Sequence, residues 1–99
     1  MDLKQLSNTF FMLQSEMIAH DFRVNSANFQ YIVSSDIYNF IVREVAKEYT
    51  KSNPKTKMLG FEVVSGMFTH TVTFFSVSVR EYREMEDSTI IFGKIFKII

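Results

Sequence analysis

The chain has no cysteine and no tryptophan in its 99 residues, a single proline and only three glycines. Without cysteine there can be no disulfide framework, no thiolate zinc site and no cysteine nucleophile, a pattern that fits the cytosol. The three glycines, Gly60, Gly66 and Gly93, are too scattered to form a phosphate-cradling loop, so no nucleotide cofactor is expected. Charge of one sign is also missing. Lys+Arg and Asp+Glu stand at 11 each, and no long-range field steers the protein towards nucleic acid or an anionic membrane. No stretch approaches the roughly 20 apolar residues that span a bilayer, and Met1 is not followed by the basic-then-apolar run of a secretory signal. These absences read as a soluble cytoplasmic protein.

What is present is apolar surface. Hydrophobic residues make up 46% of the chain and aromatics 15%, well above the low-hydrophobicity regime in which chains stay disordered. A chain of this length buries roughly two-thirds of the surface it exposes when unfolded, enough for one core, and residues 1–99 are read as a single domain. Eleven Phe and six Met, with abundant Ile, Lys and Asn, match an AT-rich genome. Small proteins of this kind are frequent in phages and mobile elements.

The first segment announces a helix. Asp2 precedes Gln5 at capping-box spacing, and Met1 and Leu6 stand at the positions of a hydrophobic staple. Leu3, Leu6, Phe10, Leu13 and Met17 recur at intervals of three and four, with Phe11 and Ile18 widening the stripe. From Asp21 the period shortens. Phe22 and Val24, then Phe29, Tyr31 and Val33, alternate around the turn-forming "NSAN", which predicts a short hairpin or extended segment. Ser34, Ser35 and Asp36 offer an N-cap for a second helix to about Tyr49, with Ile37, Phe40, Ile41, Val45 and Tyr49 on its apolar side. Pro54 ends that pattern within the polar linker Thr50 to Lys57.

The remainder reads as β: Met58 to Val64, a Ser65-Gly66 turn, a long run Met67 to Val79, and Ile90 to Ile98 after the charged stretch "REMEDS". The expected fold is α+β, with two helices packed on a small antiparallel sheet that contains a C-terminal three-stranded meander. Leu6, Phe10, Leu13, Ile37, Ile41, Val45, Val72, Phe74 and Phe92 are the expected core. Strict alternation through the long run puts Phe68, Val72 and Phe74 on one face and Met67, Phe75, Val77 and Val79 on the other. In the last strand Ile91, Ile95 and Ile99 oppose Ile90, Phe92, Phe96 and Ile98. Both sheet faces would then be apolar unless a twist or bulge resets the alternation, and the one the helices leave bare should be covered by the Phe22 to Val33 hairpin, a second copy or another protein.

Few constellations point to chemistry. His20 beside Asp21, and His70 between two threonines, lack the spacing of a metal site, and no metal or catalytic residue is expected. The turn acids Glu81, Glu84, Glu86 and Asp87 read as solvated; an enzyme built from His20, His70 and these acids is the least favoured reading. The same turn carries Arg80, Tyr82 and Arg83, and both charge signs together with a tyrosine suit a protein surface. Lys47, Lys51, Lys55 and Lys57 supply the alternative, a basic loop for phosphate contacts, without aromatic interleaving or a nucleic-acid-binding signature. The sequence is therefore read as a non-enzymatic protein-binding module, of phage accessory or inhibitor type, that occludes a partner's site or pairs as a homodimer. Arg80, Glu81, Tyr82, Arg83, Glu84, Ile95 and Phe96 are its candidate contact residues.

Overall fold

The computed structural model describes residues 2–19, 28–49 and 58–94. The first helix, α1, spans Leu3–Ala19 and starts at the predicted capping box. The Gln5 amide donates to the Asp2 carboxylate at 2.8 Å, and the Asp2 amide donates to the Gln5 side chain at 3.0 Å. Leu6 and Phe10 are buried, Leu3 and Leu13 pack at the margin of the core, and Phe11, Met12 and Ile18 stay exposed. The apolar stripe is thus narrower than the sequence suggests, because only one side of α1 meets the sheet.

β1 is Phe29–Val33, and the second helix, α2, is Ser35–Tyr49. Ser34 caps α2, its carbonyl accepting from the Tyr38 amide at 3.0 Å. Ile37, Ile41 and Val45, four residues apart, lie fully on the buried side, while the exposed Arg43 sits 5.8 Å over the ring of Phe40, which packs at the margin of the core. A short 3₁₀ turn, Met58–Gly60, leads into β2, Phe61–Ser65, followed by β3, His70–Phe74, β4, Val77–Glu81, and β5, Ile90–Lys94.

The α+β class stands, with two helices over an open five-stranded sheet, but the sheet is mixed, in the order β2-β3-β4-β1-β5. β1 is an interior strand, parallel to β4 and antiparallel to β5. The expected pairing of the last strand with the long run before it is therefore corrected. β4 gives its second side to β1, so β5 cannot pair with it and joins the sheet beside β1 instead. The other half of the expected N-terminal hairpin, Phe22 to Val24, lies outside the described residues.

The long run from Met67 to Val79 is two strands. Phe75 and Ser76 turn with φ of 44° and 69°, the two-residue connection whose twist matches a β-hairpin. The turn reverses the chain and resets the alternation, so Val72, Phe74, Val77 and Val79 all face the helices. They join Phe29, Tyr31, Val33, Phe61 and Phe92 on that face. The opposite face carries Glu62, Thr73, Ser78 and Gln30 in one continuous cross-strand row, with Arg80, Ile32 and Ile91 beside it. The alternation is thus reset, and among the described residues the opposite face is mixed rather than apolar; Ile95, Phe96, Ile98 and Ile99 of the expected patch lie outside them.

Aromatic rings fill the centre. Phe10 stacks on Tyr31 with centroids 4.3 Å apart and meets Phe61 and Phe74 edge-on at 5.1 and 5.3 Å. The buried Tyr31 hydroxyl donates to the Phe10 carbonyl at 2.8 Å, tying β1 to α1. Burial pushes the Tyr31 phenol far above its ordinary pKa, against a smaller lowering by its bond to Gln14.

Candidate functional site

The ends of β1 and β4, the start of α2 and the β4–β5 loop, residues 82–89, converge at one pole of the molecule. The buried Ser34 organises it. Its amide donates to the Thr89 carbonyl at 3.0 Å, and its hydroxyl accepts from the Thr89 amide at 3.2 Å while donating to Asp36 at 2.5 Å. Both Asp36 carboxylate oxygens then accept from the Ser88 amide, at 3.1 and 3.0 Å, and one also accepts the Ser88 hydroxyl at 3.3 Å. Ser88 adopts φ of 62°, in the left-handed region that a non-glycine residue enters only when its surroundings hold it there.

The bond from Ser34, then that from the Ser88 amide, holds the Asp36 carboxyl below its usual range. A carboxylate in the first turn of α2 also meets the positive end of the helix. The loop leaves β4 with the Tyr82 amide donating to the Val33 carbonyl at 2.9 Å and turns through a bond from the Met85 amide to the Tyr82 carbonyl at 3.2 Å. It is fixed at both ends, with the side chains of Tyr82, Arg83 and Glu84 exposed between them. Tyr82 is 52% exposed.

Next to this loop, β3 and β4 part. Their ladder runs from Phe74 opposite Val77 to Val72 opposite Val79 and goes no further among the described residues. Where the ladder ends, the Tyr38 hydroxyl reaches over from α2 and donates to the His70 carbonyl at 3.1 Å. Burial, and behind it the charge of Glu81, raises the Tyr38 phenol above its ordinary value. The fork opens into a cleft of about 450 Å³, lined chiefly by Tyr38, His70, Thr71, Ser78, Arg80 and Glu81. Its volume lies within the range of small-ligand sites, but its walls are mostly polar and it is open to solvent.

Of the expected contact residues, Arg80 and Glu81 line the cleft, and Tyr82, Arg83 and Glu84 stand on the adjoining loop. The Tyr82 hydroxyl lies 3.4 Å from the Glu84 carboxylate. Ile95 and Phe96 are outside the described residues. So are Lys51, Lys55 and Lys57, whereas Lys47 is exposed on α2 and lies 3.4 Å from Glu44. His20 and Asp21 are outside them too. Among the described residues no group of three or more His, Asp or Glu could hold a metal ion, and no helix is long and apolar enough to cross a membrane.

Two features escaped the sequence reading. Asp36 was recognised only as a cap, because its reach to Ser88, 52 positions away, exists only in the folded chain. The sequence pattern puts Met67 and Phe68 at the start of a long strand. They form instead the tip of the β2–β3 hairpin, closed by the Gly66 amide on the Thr69 carbonyl at 2.7 Å, and are 91% and 92% exposed. The Ser-Gly pair just before them was the available signal. Compared with protein-family models, curated proteins and solved structures, the chain matches none of them.

Proposed function

We propose that this protein is a non-enzymatic protein-binding module whose contact surface is the pole formed by the 82–89 loop and the adjoining cleft, acting by steric occlusion of a partner's site. The observation that carries the reading is the preorganisation of the loop. Asp36, Ser34 and Ser88 hold its backbone while Tyr82 and Arg83 are left outward. Tyr and Arg are the side chains that most often anchor protein interfaces, and a loop already held in place loses little entropy on binding. The polar cleft supplies an adjacent concave surface. Charges of both signs around it, Arg80 and Arg83 against Glu81 and Glu84, suit a protein partner of mixed charge better than a polyanion.

A photo-crosslinking residue in place of Tyr82 should capture one partner, and the same residue in place of Arg43 on the outer side of α2 should not. Titrated with that partner, Tyr82→Ala and Arg83→Ala should each weaken binding by about tenfold or more. Unchanged affinity in both variants would refute the site. Changing Lys47, Lys51, Lys55 and Lys57 together to Glu should leave that affinity unaltered. If those changes instead abolish a nucleic-acid complex that weakens steeply with salt, the basic-loop alternative replaces this reading.

A further inference from the structure

We infer that a second copy of this chain pairs with the outer edge of β2, antiparallel and about a twofold axis at Val63, joining two sheets into one. The backbone sets up the edge. The Phe75 amide donates to the Gly60 carbonyl and the Gly66 amide to the Thr69 carbonyl, so even-numbered positions of this segment turn towards β3. Alternation then turns the amides and carbonyls of Phe61, Val63 and Ser65 outward, where no other strand lies among the described residues. Natural edge strands block such pairing with lysine, proline or a bulge. β2 contains neither residue, pairs in unbroken register with β3, and has Glu62 as its only charge.

The surroundings of the edge are self-complementary. With Val63 opposite its own copy, Glu62 faces Val64 of the second copy, and no like charges meet. Leu59 and Met67 each stand four residues from Val63, so the pairing brings the apolar tip of one copy to the region of Leu59 in the other, twice over. Leu59 is 38% exposed, and the rings of Phe75 and Phe74 crowd Gly60 beside it. Met67 and Phe68, nine-tenths exposed in the single chain, thereby gain apolar neighbours. A bilayer is the poorer occupant for this tip. The acidic Glu81, Glu84, Glu86 and Asp87 outnumber Arg80 and Arg83 at the same pole, whereas anionic lipid attracts basic rims. β2 and β5 are opposite edges of the sheet, so the pairing leaves the 82–89 loop free.

The absence of native cysteine gives a direct test of register. Residues 62 and 64 of opposite copies form a non-hydrogen-bonded pair with Cα atoms about 4.5 Å apart, within disulfide range, whereas like residues of the two copies lie too far apart to bridge. Mild oxidation of mixed Glu62→Cys and Val64→Cys proteins should give a covalent heterodimer that neither protein forms alone. The unmodified protein should sediment at twice its 11.6 kDa chain mass. Met67→Ser with Phe68→Ser should keep the circular dichroism of the parent and raise the dimer dissociation constant at least tenfold. Sedimentation of the parent as a single chain up to submillimolar concentration would overturn the inference. So would a dimer whose cysteine mixture fails to cross-link, since it would use another surface.

Discussion

Phe10→Ala tests the described core against its nearest alternative, a first helix rotated by one position. Phe10 is completely buried, stacks on Tyr31 and meets the rings of Phe61 and Phe74, while its neighbour Phe11 is exposed. Truncating a buried phenylalanine costs about 3–5 kcal/mol, from lost transfer energy and the cavity left behind. A further part of that cost is the loss of ring contacts, each about 0.5–1.5 kcal/mol beyond area burial. Total stability for a domain of this size is about 5–15 kcal/mol, so the variant should stay folded only narrowly. With a urea slope of about 1.5 kcal/mol per M, a loss of about 4 kcal/mol lowers the unfolding midpoint by about 2–3 M. Tyr31→Phe should cost only about 0.5–1.5 kcal/mol, because the Phe10 carbonyl keeps its place in the helical ladder when the phenol is removed. Phe11→Ala should stay within about 0.5 kcal/mol of the parent. If the Phe11 and Phe10 variants lost equal stability, or Phe10→Ala cost less than about 1 kcal/mol, α1 would not face the sheet as described.

Three further outcomes follow from the same structure. Gly60 has φ of +94° and a Cβ there would lie 2.8 Å from Phe74 and 2.5 Å from Phe75, so Gly60→Ala should cost about 1–3 kcal/mol. Gly93→Ala, with open space around it, should change the urea midpoint little. The Asp36 carboxyl is held below its unfolded value of about 3.9, so its contribution is present above that pH and is lost as pH falls through the folded value. Hydrogen exchange at Ser88 should accelerate in that acid range, and Asp36→Asn should show the faster exchange already at neutral pH. The buried Tyr31 phenol is raised, so its contribution is complete below its unfolded value of about 10 and is lost as pH climbs towards the folded one. Alkaline unfolding, followed by tyrosinate absorbance, should shift to higher pH in Tyr31→Phe.

Both helices were legible in the sequence because their signals are local. The Asp2 to Gln5 box, the four-residue spacing of Ile37, Ile41 and Val45, and the cap at Ser34 each act within a turn or two of chain. Seven of the nine expected core residues are buried as period alone puts them, Leu13 and Phe92 lie at the margin, and the structure adds Phe29, Tyr31, Val33, Phe61, Val77 and Val79. The Phe75-Ser76 turn was not legible, since neither residue favours positive φ; it is held by the strands it joins and by the Phe75 amide on Gly60. That turn decided which sheet face is apolar.

The contact pole was half legible. Arg80 to Glu84 stood out by composition, but their arrangement depends on partners far along the chain: Asp36 on Ser88, Val33 on Tyr82, Tyr38 on His70. Sequence by itself determined the helices, the strand-forming segments and the absence of thiol chemistry, because propensity and composition are properties of short stretches or of the whole count. Only the tertiary structure decided that β1 lies inside the sheet, that β5 pairs with β1, and that β3 and β4 fork. Strand pairing is settled by which backbone edges remain open once other strands have joined, and a linear pattern of side chains carries no record of that competition.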